Sequence, residues 1–533
     1  MTDDGSGLAR GGAAMALGTI ASRATGFLRT VAVLAALGTT GVADAYNVAN
    51  TTPNIVYDLL LGGILSSVVV PLLVRAARED DDGGERFTSV LFSVTLVALG
   101  IATVLGVLAA PLLVRLYLGT AGPGRTQAEL NLAVRFIQIF LPQLLFYAAT
   151  ALAAAVLNIR GRFGAVGAAP VVNNVIVIAV AGVFIATADR THLSSTLNAR
   201  DTLLIGVGTT LGVVGMTLAL VPSLRATGLR LRFVPDWREP RLRVAARLGG
   251  WVLAYAAVNQ LGYVVITRLA DRHGGDFTIY SAAYQLFSLP HAIVAVSVIS
   301  ALMPGLSASA ADGNLAAVRA QLSRGLRLSF VLLLPAALGL AALAQPVAAG
   351  ALHYGATTTG GARLIGDTLA AFALGLPAFS CYQLLLRAFY AQQDSRTPAL
   401  INVAVNVVNV GADLLLLVLL PQHLRVPALA AGFALSYVVG ALVAGRLLRA
   451  RLGGLDGSRV LRLSVRAALA GLVAAVTARV VADLVRGLLG PGTAAAIVAV
   501  LLGGAVGSVI FIRGARLMRI REMTGLTTLL RRR

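Results

Sequence analysis

LPQLLFYAATALAAAVLNIRGRFGAVGAAPVVNNV, residues 141–175, returns in outline as LPAFSCYQLLLRAFYAQQDSRTPALINVAVNVVNV, residues 376–410. Each copy opens on Leu-Pro and carries a tyrosine five residues after the proline, Tyr147 and Tyr382. Each then passes through an arginine-bearing loop and reaches an asparagine, Asn174 and Asn409, at the same offset of 235 residues. A second echo pairs Val70-Pro71 with Met303-Pro304 at an offset of 233. The chain reads as two related halves.

What the halves are made of follows from composition. Of 533 residues, 57% are hydrophobic and 13% charged, with a mean hydropathy of +0.82. Soluble domains carry about 25% charged residues, so this is an integral membrane protein. A bilayer core of about 30 Å takes about 20 apolar residues per helix. Fourteen such spans can be laid along the chain: 11–37, 45–74, 87–116, 128–157, 164–187, 201–224, 244–268, 277–306, 316–344, 364–391, 398–420, 426–448, 460–486 and 493–514. The expected fold is all-α and polytopic. Six spans per half is an even number, so both halves begin on the same side and form parallel repeats. Two such bundles around a central cavity, followed by two extra helices, make a transporter architecture. The domain limits are 1–227 for the first bundle, 228–246 for an arginine-rich linker, 247–450 for the second bundle and 451–533 for the two extra helices and a basic tail.

The net charge of +21 resembles a nucleic-acid binder's until the positions of the charges are considered. All 44 basic residues are arginine. With the N-terminus inside, 30 of them fall in cytoplasmic segments, nine in outer segments and five within spans. That bias obeys the positive-inside rule and places both termini in the cytoplasm. The linker arginines, Arg225 to Arg247, read as a topology anchor against anionic lipid. Without lysine there is no P-loop lysine to reach a nucleotide's phosphates. With Cys381 as the single cysteine, no intrachain disulfide or cysteine-rich metal site forms. The first apolar segment follows Asp3 and Asp4 rather than a basic region, and reads as a retained helix. The five histidines are scattered and the outer loops short; His353–Gly355 is a turn. No catalytic set is visible, no cofactor or metal is expected, and the chain is not an enzyme.

Polar residues inside spans are the functional candidates. A charge at mid-bilayer costs at least ~2.5 kcal/mol on insertion scales and usually faces a cavity or a partner. Span 1 carries Arg23 and Arg29 and no acid of its own. Six residues advance a helix about 9 Å and about 600°, so the two side chains lie roughly 120° apart. They can line one wide cleft, the more so if the helix bends at Gly26. Arginine suits a phosphate, because its planar fork donates two hydrogen bonds and keeps its charge; snorkelling to an interface is the alternative. Asp44, at the outer end of span 2 with Asn54 beside Pro53 further on, could hold an arginine closed from outside. An exposed loop carboxylate fits its spacing better. Asp58 lies deeper and needs a cationic partner or water. In the second half, Asn402, Asn406, Asn409 and Asp413 fall on one helical face. Asn409 with Asp413 could hold a coupling ion through oxygen ligands one turn apart; interhelical hydrogen bonding fits these asparagines better. Arg387, in the preceding helix, could pair with Asp413 instead.

SRATGFLR, residues 22–29, then ADAYNVANTTPN, residues 43–54, then VVPLL, residues 69–73, together resemble the MurJ/MviN family of lipid II flippases, in the multidrug/oligosaccharidyl-lipid/polysaccharide exporter superfamily. The likeness extends more weakly through QLFSLPHAIVAVSVISALMPGLS and LLRAFYAQQDSRTP, so it covers spans 1 to 12. It implies that Arg23 and Arg29 line a central cavity and bind a pyrophosphate, with Asp44 at the outer rim, and that the two extra helices form a groove for a lipid tail. Departures mark a divergent member. Tyr57 and Asp58 stand where the family commonly has basic residues, Gly62-Gly63 replaces Glu-Gly, and Gln285 takes the place of a cavity arginine when Pro290 is aligned. Arg135 or Arg387 could compensate.

The expected activity is movement of lipid II, or a similar undecaprenyl-pyrophosphate glycan, from the inner to the outer leaflet of the bacterial cytoplasmic membrane by alternating access. A headgroup with pyrophosphate and sugars cannot cross hydrocarbon unaided, because unsatisfied polar groups cost several kcal/mol each. The rivals are export of another polyprenyl-linked glycan, a drug or cation antiporter, which needs acidic cavity residues, a membrane enzyme acting on lipid-linked sugars, for whose active site the short outer loops leave no room, and a non-transporting scaffold for cell-wall enzymes. Expected partners are the lipid-linked substrate, membrane lipids and cell-wall synthesis enzymes, and no nucleic acid.

Overall fold

The computed structural model describes residues 4–59, 70–122, 125–188, 196–270, 274–392, 394, 396–520 and 522. They form helices α1 (Asp4–Leu37), α2 (Gly41–Leu59), α3 (Val70–Glu79), α4 (Glu85–Leu108), α5 (Ala110–Leu118), α6 (Gln127–Phe140), α7 (Gln143–Ile159), α8 (Phe163–Thr187), α9 (Ala199–Arg225) and α10 (Pro240–Ala270). After these come α11 (Asp276–Pro290), α12 (Val296–Ala311), α13 (Leu315–Ala342), α14 (Ala344–Leu352), α15 (Thr359–Ala391), α16 (Arg396–Leu419), α17 (Arg425–Arg451), α18 (Gly457–Leu489) and α19 (Thr493–Leu517). Among the described residues twelve helical segments are long and apolar enough to cross a membrane. The two remaining expected spans, 45–74 and 244–268, include residues, or side chains, outside those described.

Several spans are broken, each for a local reason. Thr126 caps α6 by accepting from the Glu129 amide while Glu129 reaches back to the Thr126 amide, which satisfies two donors that a helix start leaves open. The helix then stops at Leu141-Pro142, and α7 begins at once. Helix α5 starts at Ala110 directly after α4 ends, with Pro111 in its first turn, because a proline inside a continuous helix would remove a ladder donor and clash with the preceding turn. Pro290 is followed by a single π turn, His291–Ala295, before α12 resumes; the missing proline N–H loosens the ladder there. Pro377, at the repeat position of Pro142, lies inside an unbroken α15. Both echoed stretches therefore run from one helix into the next, α7 to α8 and α15 to α16, but only the first begins with a break.

Contacts divide the chain into two compact units, residues 1–278 with 354–356, and residues 279–353 with 357–533. In the first, Tyr46 meets Phe136 and Phe140 edge-on, with ring centroids 5.8 and 5.4 Å away, and its hydroxyl lies 3.0 Å from Thr209 Oγ1. Helices α1 and α8 approach so closely that a Cβ on Gly18 would stand 2.7 Å from the Gly167 carbonyl carbon. In the second unit Phe287, Phe372, Phe379 and Phe433 form one aromatic core, with centroids 5.2–5.8 Å apart. Helix α18 packs a stripe of small residues, Ala467, Ala470, Ala474, Ala478 and Ala482, toward α13 and α19, the small-residue contact typical of helix pairs in lipid.

Candidate functional site

Helix α1 carries the two arginines singled out by the sequence. It runs unbroken through Gly26. Arg23 is exposed and Arg29 half-buried, and among the described residues neither has a carboxylate partner. Their helix is gripped from α8: Asn174 Nδ2 donates to the Ser22 carbonyl at 3.1 Å and to Thr25 Oγ1 at 3.0 Å. Thr25 in turn donates to the Ala21 carbonyl at 2.8 Å. Asn174, noticed in the sequence only as a repeat landmark, is thus a positioning residue for the Arg23 turn.

Asp44 is not the exposed loop carboxylate that its spacing suggests: it is fully buried, at 0% exposure. The first turn of α11 explains why. Asp44 Oδ2 accepts from the Gly275 amide at 2.7 Å, and Oδ1 accepts from the Thr278 amide at 2.8 Å and its hydroxyl at 2.6 Å. Arg125 Nη2 reaches Oδ2 at 3.4 Å. One carboxylate therefore caps the start of another helix, where unsatisfied N–H groups and the helix dipole favour negative charge, and it balances a buried guanidinium. Arg125 is one of the arginines outside the expected spans. Its place one residue before a capping threonine is the sequence signal that it is held rather than free.

Asn54 is engaged rather than open: Tyr147 Oη donates to its Oδ1 at 2.6 Å, and its Nδ2 donates to the Asn50 carbonyl at 2.7 Å. The side chains of Tyr57 and Asp58, and Gly62 and Gly63 altogether, lie outside the described residues. Arg135 is exposed on α6, one turn beyond Asn131, which accepts from Gln127 at 3.0 Å.

In the second unit Asn402, Asn409 and Asp413 turn to the buried face of α16. Asn409 Nδ2 donates to Asp413 Oδ2 at 3.1 Å, while Oδ1 has no hydrogen-bond partner among the described residues. A Cβ on Gly432 of α17 would stand 1.9 Å from Oδ1, so glycine there makes room for the carboxylate. No ion pair joins Arg387 to Asp413 among the described residues. Arg387 lies instead one turn from the C-terminal end of α15, 5.9 Å from the Tyr390 ring centroid. A buried carboxylate with one amide donor is costly while ionised and uncompensated, so Asp413 suits a proton or one monovalent cation. No cluster of three or more His, Cys, Asp or Glu suited to a metal occurs among the described residues.

Against known proteins, the family described as "Lipid II flippase MurJ" matches residues 33–500. The chain is 30% identical over 438 residues to the lipid II flippase MurJ of Burkholderia cenocepacia, covering 81% of each chain. It is 29% identical over 397 residues to the probable lipid II flippase MurJ of Rhizobium meliloti, covering 73% of this chain and 72% of that one. A solved lipid II flippase MurJ in an inward closed conformation matches with a TM-score of 0.75 at 19% identity, over 95% of this chain and 99% of that one. A MATE-family multidrug transporter of the MOP superfamily, inward-facing, matches at 0.62 and 15% identity, over 81% and 94%. At these identities the structural likeness speaks for the fold.

Proposed function

The chain belongs to the MurJ lipid II flippase family, and from that membership we propose that it moves lipid II from the inner to the outer leaflet of the bacterial cytoplasmic membrane, as a transporter and not an enzyme. The observation that carries the reading is a pair of arginines on one transmembrane helix without carboxylate partners among the described residues, on a helix that Asn174 holds in place. Arg23 and Arg29 bind the pyrophosphate through charge-assisted bidentate hydrogen bonds and are exposed alternately to the two sides. Asp44 acts at the outer end: its bonds to Arg125, Gly275 and Thr278 close that end, and opening it exchanges them for water. Asn54 and Arg387 contribute polar contacts to the headgroup. Asn409 and Asp413 hold the coupling proton or cation, and both termini face the cytoplasm, where cell-wall synthesis enzymes supply the substrate. Gln285, half-buried on α11, takes a cavity arginine's place and makes the cavity less cationic.

The test is complementation. A bacterium depleted of its own lipid II flippase expresses this chain, and lipid II reaching the outer leaflet is measured by its cleavage with an externally added toxin. Restored cleavage, lost in Arg23→Ala and in Arg29→Ala at equal membrane abundance, is the expected result. Cleavage unaffected by either substitution overturns the assignment of the arginines; absence of rescue by the folded wild-type chain overturns lipid II as substrate.

A further inference from the structure

The connection after α9 reads in the sequence as a run of arginines, yet its backbone is stitched to α4. The Arg232 amide donates to Ser89 Oγ at 3.1 Å, and the Val234 amide donates to Ser93 Oγ at 2.8 Å. Leu229 packs among the apolar residues of α3, α4 and α7. The chain then turns back: Asp236 lies 3.9 Å from the Arg86 guanidinium, and Arg241 sits 4.2 Å over the Phe87 ring and 2.8 Å from Asp80. The segment therefore descends along α4 from the level of Ser89 to that of Ser93 and climbs again to Arg86. Ser93 lies seven residues past Arg86, about 10 Å further along the helix axis.

This hairpin leaves its aromatic side chains uncovered. Phe233 is 70% exposed and Trp237 54% exposed, on either side of Pro235. Arg230, Arg232 and Arg238 are also exposed, and among the described residues none of them is ion-paired. Most acids close by are committed: Asp80 and Glu239 to Arg241, Asp236 to Arg86 and the Arg238 amide, Asp82 to the amides of Gly84 and Arg86, and Glu79 to Arg75; Asp81 and Glu85 have no ion pair among the described residues. Phe233 lies between the levels of Ser89 and Ser93, deeper along α4, and Trp237 lies beside Asp236 at the level of Arg86; exposed rings interleaved with guanidiniums match the membrane interface, where rings sit at headgroup level and basic groups meet anionic lipid.

We propose that residues 229–238 form a finger inserted into the cytoplasmic leaflet, with Phe233 among the upper acyl chains, Trp237 at the boundary of headgroups and chains, and Arg230, Arg232 and Arg238 binding the headgroups of anionic phospholipid. Because its backbone is bonded to Ser89 and Ser93, lipid bound there acts on α4 directly and sets the depth of the first unit in the bilayer. The occupant is bilayer lipid, as the match of positive charge to an anionic surface requires.

Trp237 reports on this by itself once Trp251, the other tryptophan, is replaced. Trp251→Phe protein is reconstituted in vesicles holding either brominated phosphatidylglycerol in plain phosphatidylcholine or brominated phosphatidylcholine in plain phosphatidylglycerol, at equal bromine content. Trp237 emission is expected to be quenched by bromine in both, at least about twofold more strongly by the brominated anionic lipid. The difference disappears in Arg230→Gln/Arg232→Gln/Arg238→Gln while quenching itself persists. Quenching by acrylamide and not by bromine places Trp237 in water, or under a protein partner absent from the vesicle, and overturns the proposal; equal quenching by both lipids overturns the headgroup selection. Should Trp251→Phe misfold, mass spectrometry of the detergent-solubilised wild type reads the same question. Phosphatidylglycerol adducts are retained at least about twofold more than in the triple arginine variant, and equal retention overturns the proposal.

Discussion

Asp44 concentrates more interactions than any other candidate residue, and its neighbours explain why it tolerates burial. Three N–H or O–H donors from Gly275 and Thr278 and one guanidinium surround a carboxylate with no exposure. Removing one partner of a buried pair leaves the other charge uncompensated, at about 3–5 kcal/mol. Asp44→Ala is therefore expected to lower the melting temperature of the purified protein markedly, and Asp44→Ala/Arg125→Ala to recover part of the loss. Asp413 is the opposite case, a buried acid whose Oδ1 is unmatched among the described residues. If it holds a cation, the melting temperature rises with sodium or potassium over choline, and Asp413→Asn abolishes that dependence. A melting temperature blind to the cation in the wild type leaves the proton as the occupant.

At the scale of elements, helix breaks and close approaches decide what a side chain can reach. Gly432 illustrates the second: its missing Cβ is what lets α17 lie against the Asp413 carboxylate. Overfilling a packed core costs about 1–3 kcal/mol, so Gly432→Ala is expected to destabilise the second unit by that amount in thermal melts and to abolish any cation effect at Asp413. The loop joining α15 to α16 carries a pH-dependent contact. Burial alone would raise the Asp394 carboxyl from its ordinary 3.8; the Thr397 hydroxyl and amide, with the Arg451 guanidinium at 2.5 Å, outweigh it and hold the group at about 2. A carboxylate depressed on folding stabilises fully above its unfolded pKa and loses that contribution as pH falls through its folded one. The melting-temperature difference between wild type and Arg451→Gln is therefore expected to be largest above about pH 4, to shrink as pH falls toward 2 and to vanish below it. A difference constant across that range argues against the pairing.

Across the whole molecule, the hydropathy that marks spans was legible, because a bilayer imposes length and polarity on every segment crossing it. Twelve described helical segments fulfil the first requirement. The two stretches that echo each other in sequence differ in what their matching residues do. Asn174 secures the turn of α1 that carries Arg23, whereas Asn409 holds a carboxylate on its own helix. Pro142 separates α6 from α7, whereas Pro377 sits within α15. If Asn174 positions the arginines, Asn174→Leu is expected to reduce flipping more than it reduces melting temperature, since the hydrogen bonds lost amount to about 1–2 kcal/mol. Parallel loss of both would make it a packing residue only. The rescue assay and a thermal melt separate the two.

Fold class, number of helical crossings to within the undescribed stretches, and the candidacy of Arg23, Arg29, Asn409 and Asp413 were determined by the sequence alone, because transfer of apolar and charged groups between water and lipid is a property of each residue with its chain neighbours. The partners were decided only by the tertiary structure. Asp44 meets Arg125 across 81 residues and Thr278 across 234, Asn174 meets Ser22 across 152, and Ser93 meets Val234 across 141. Hydrogen bonds and ion pairs act over about 3 Å, and no local period in the chain records which distant residue the packing of helices will bring within that reach.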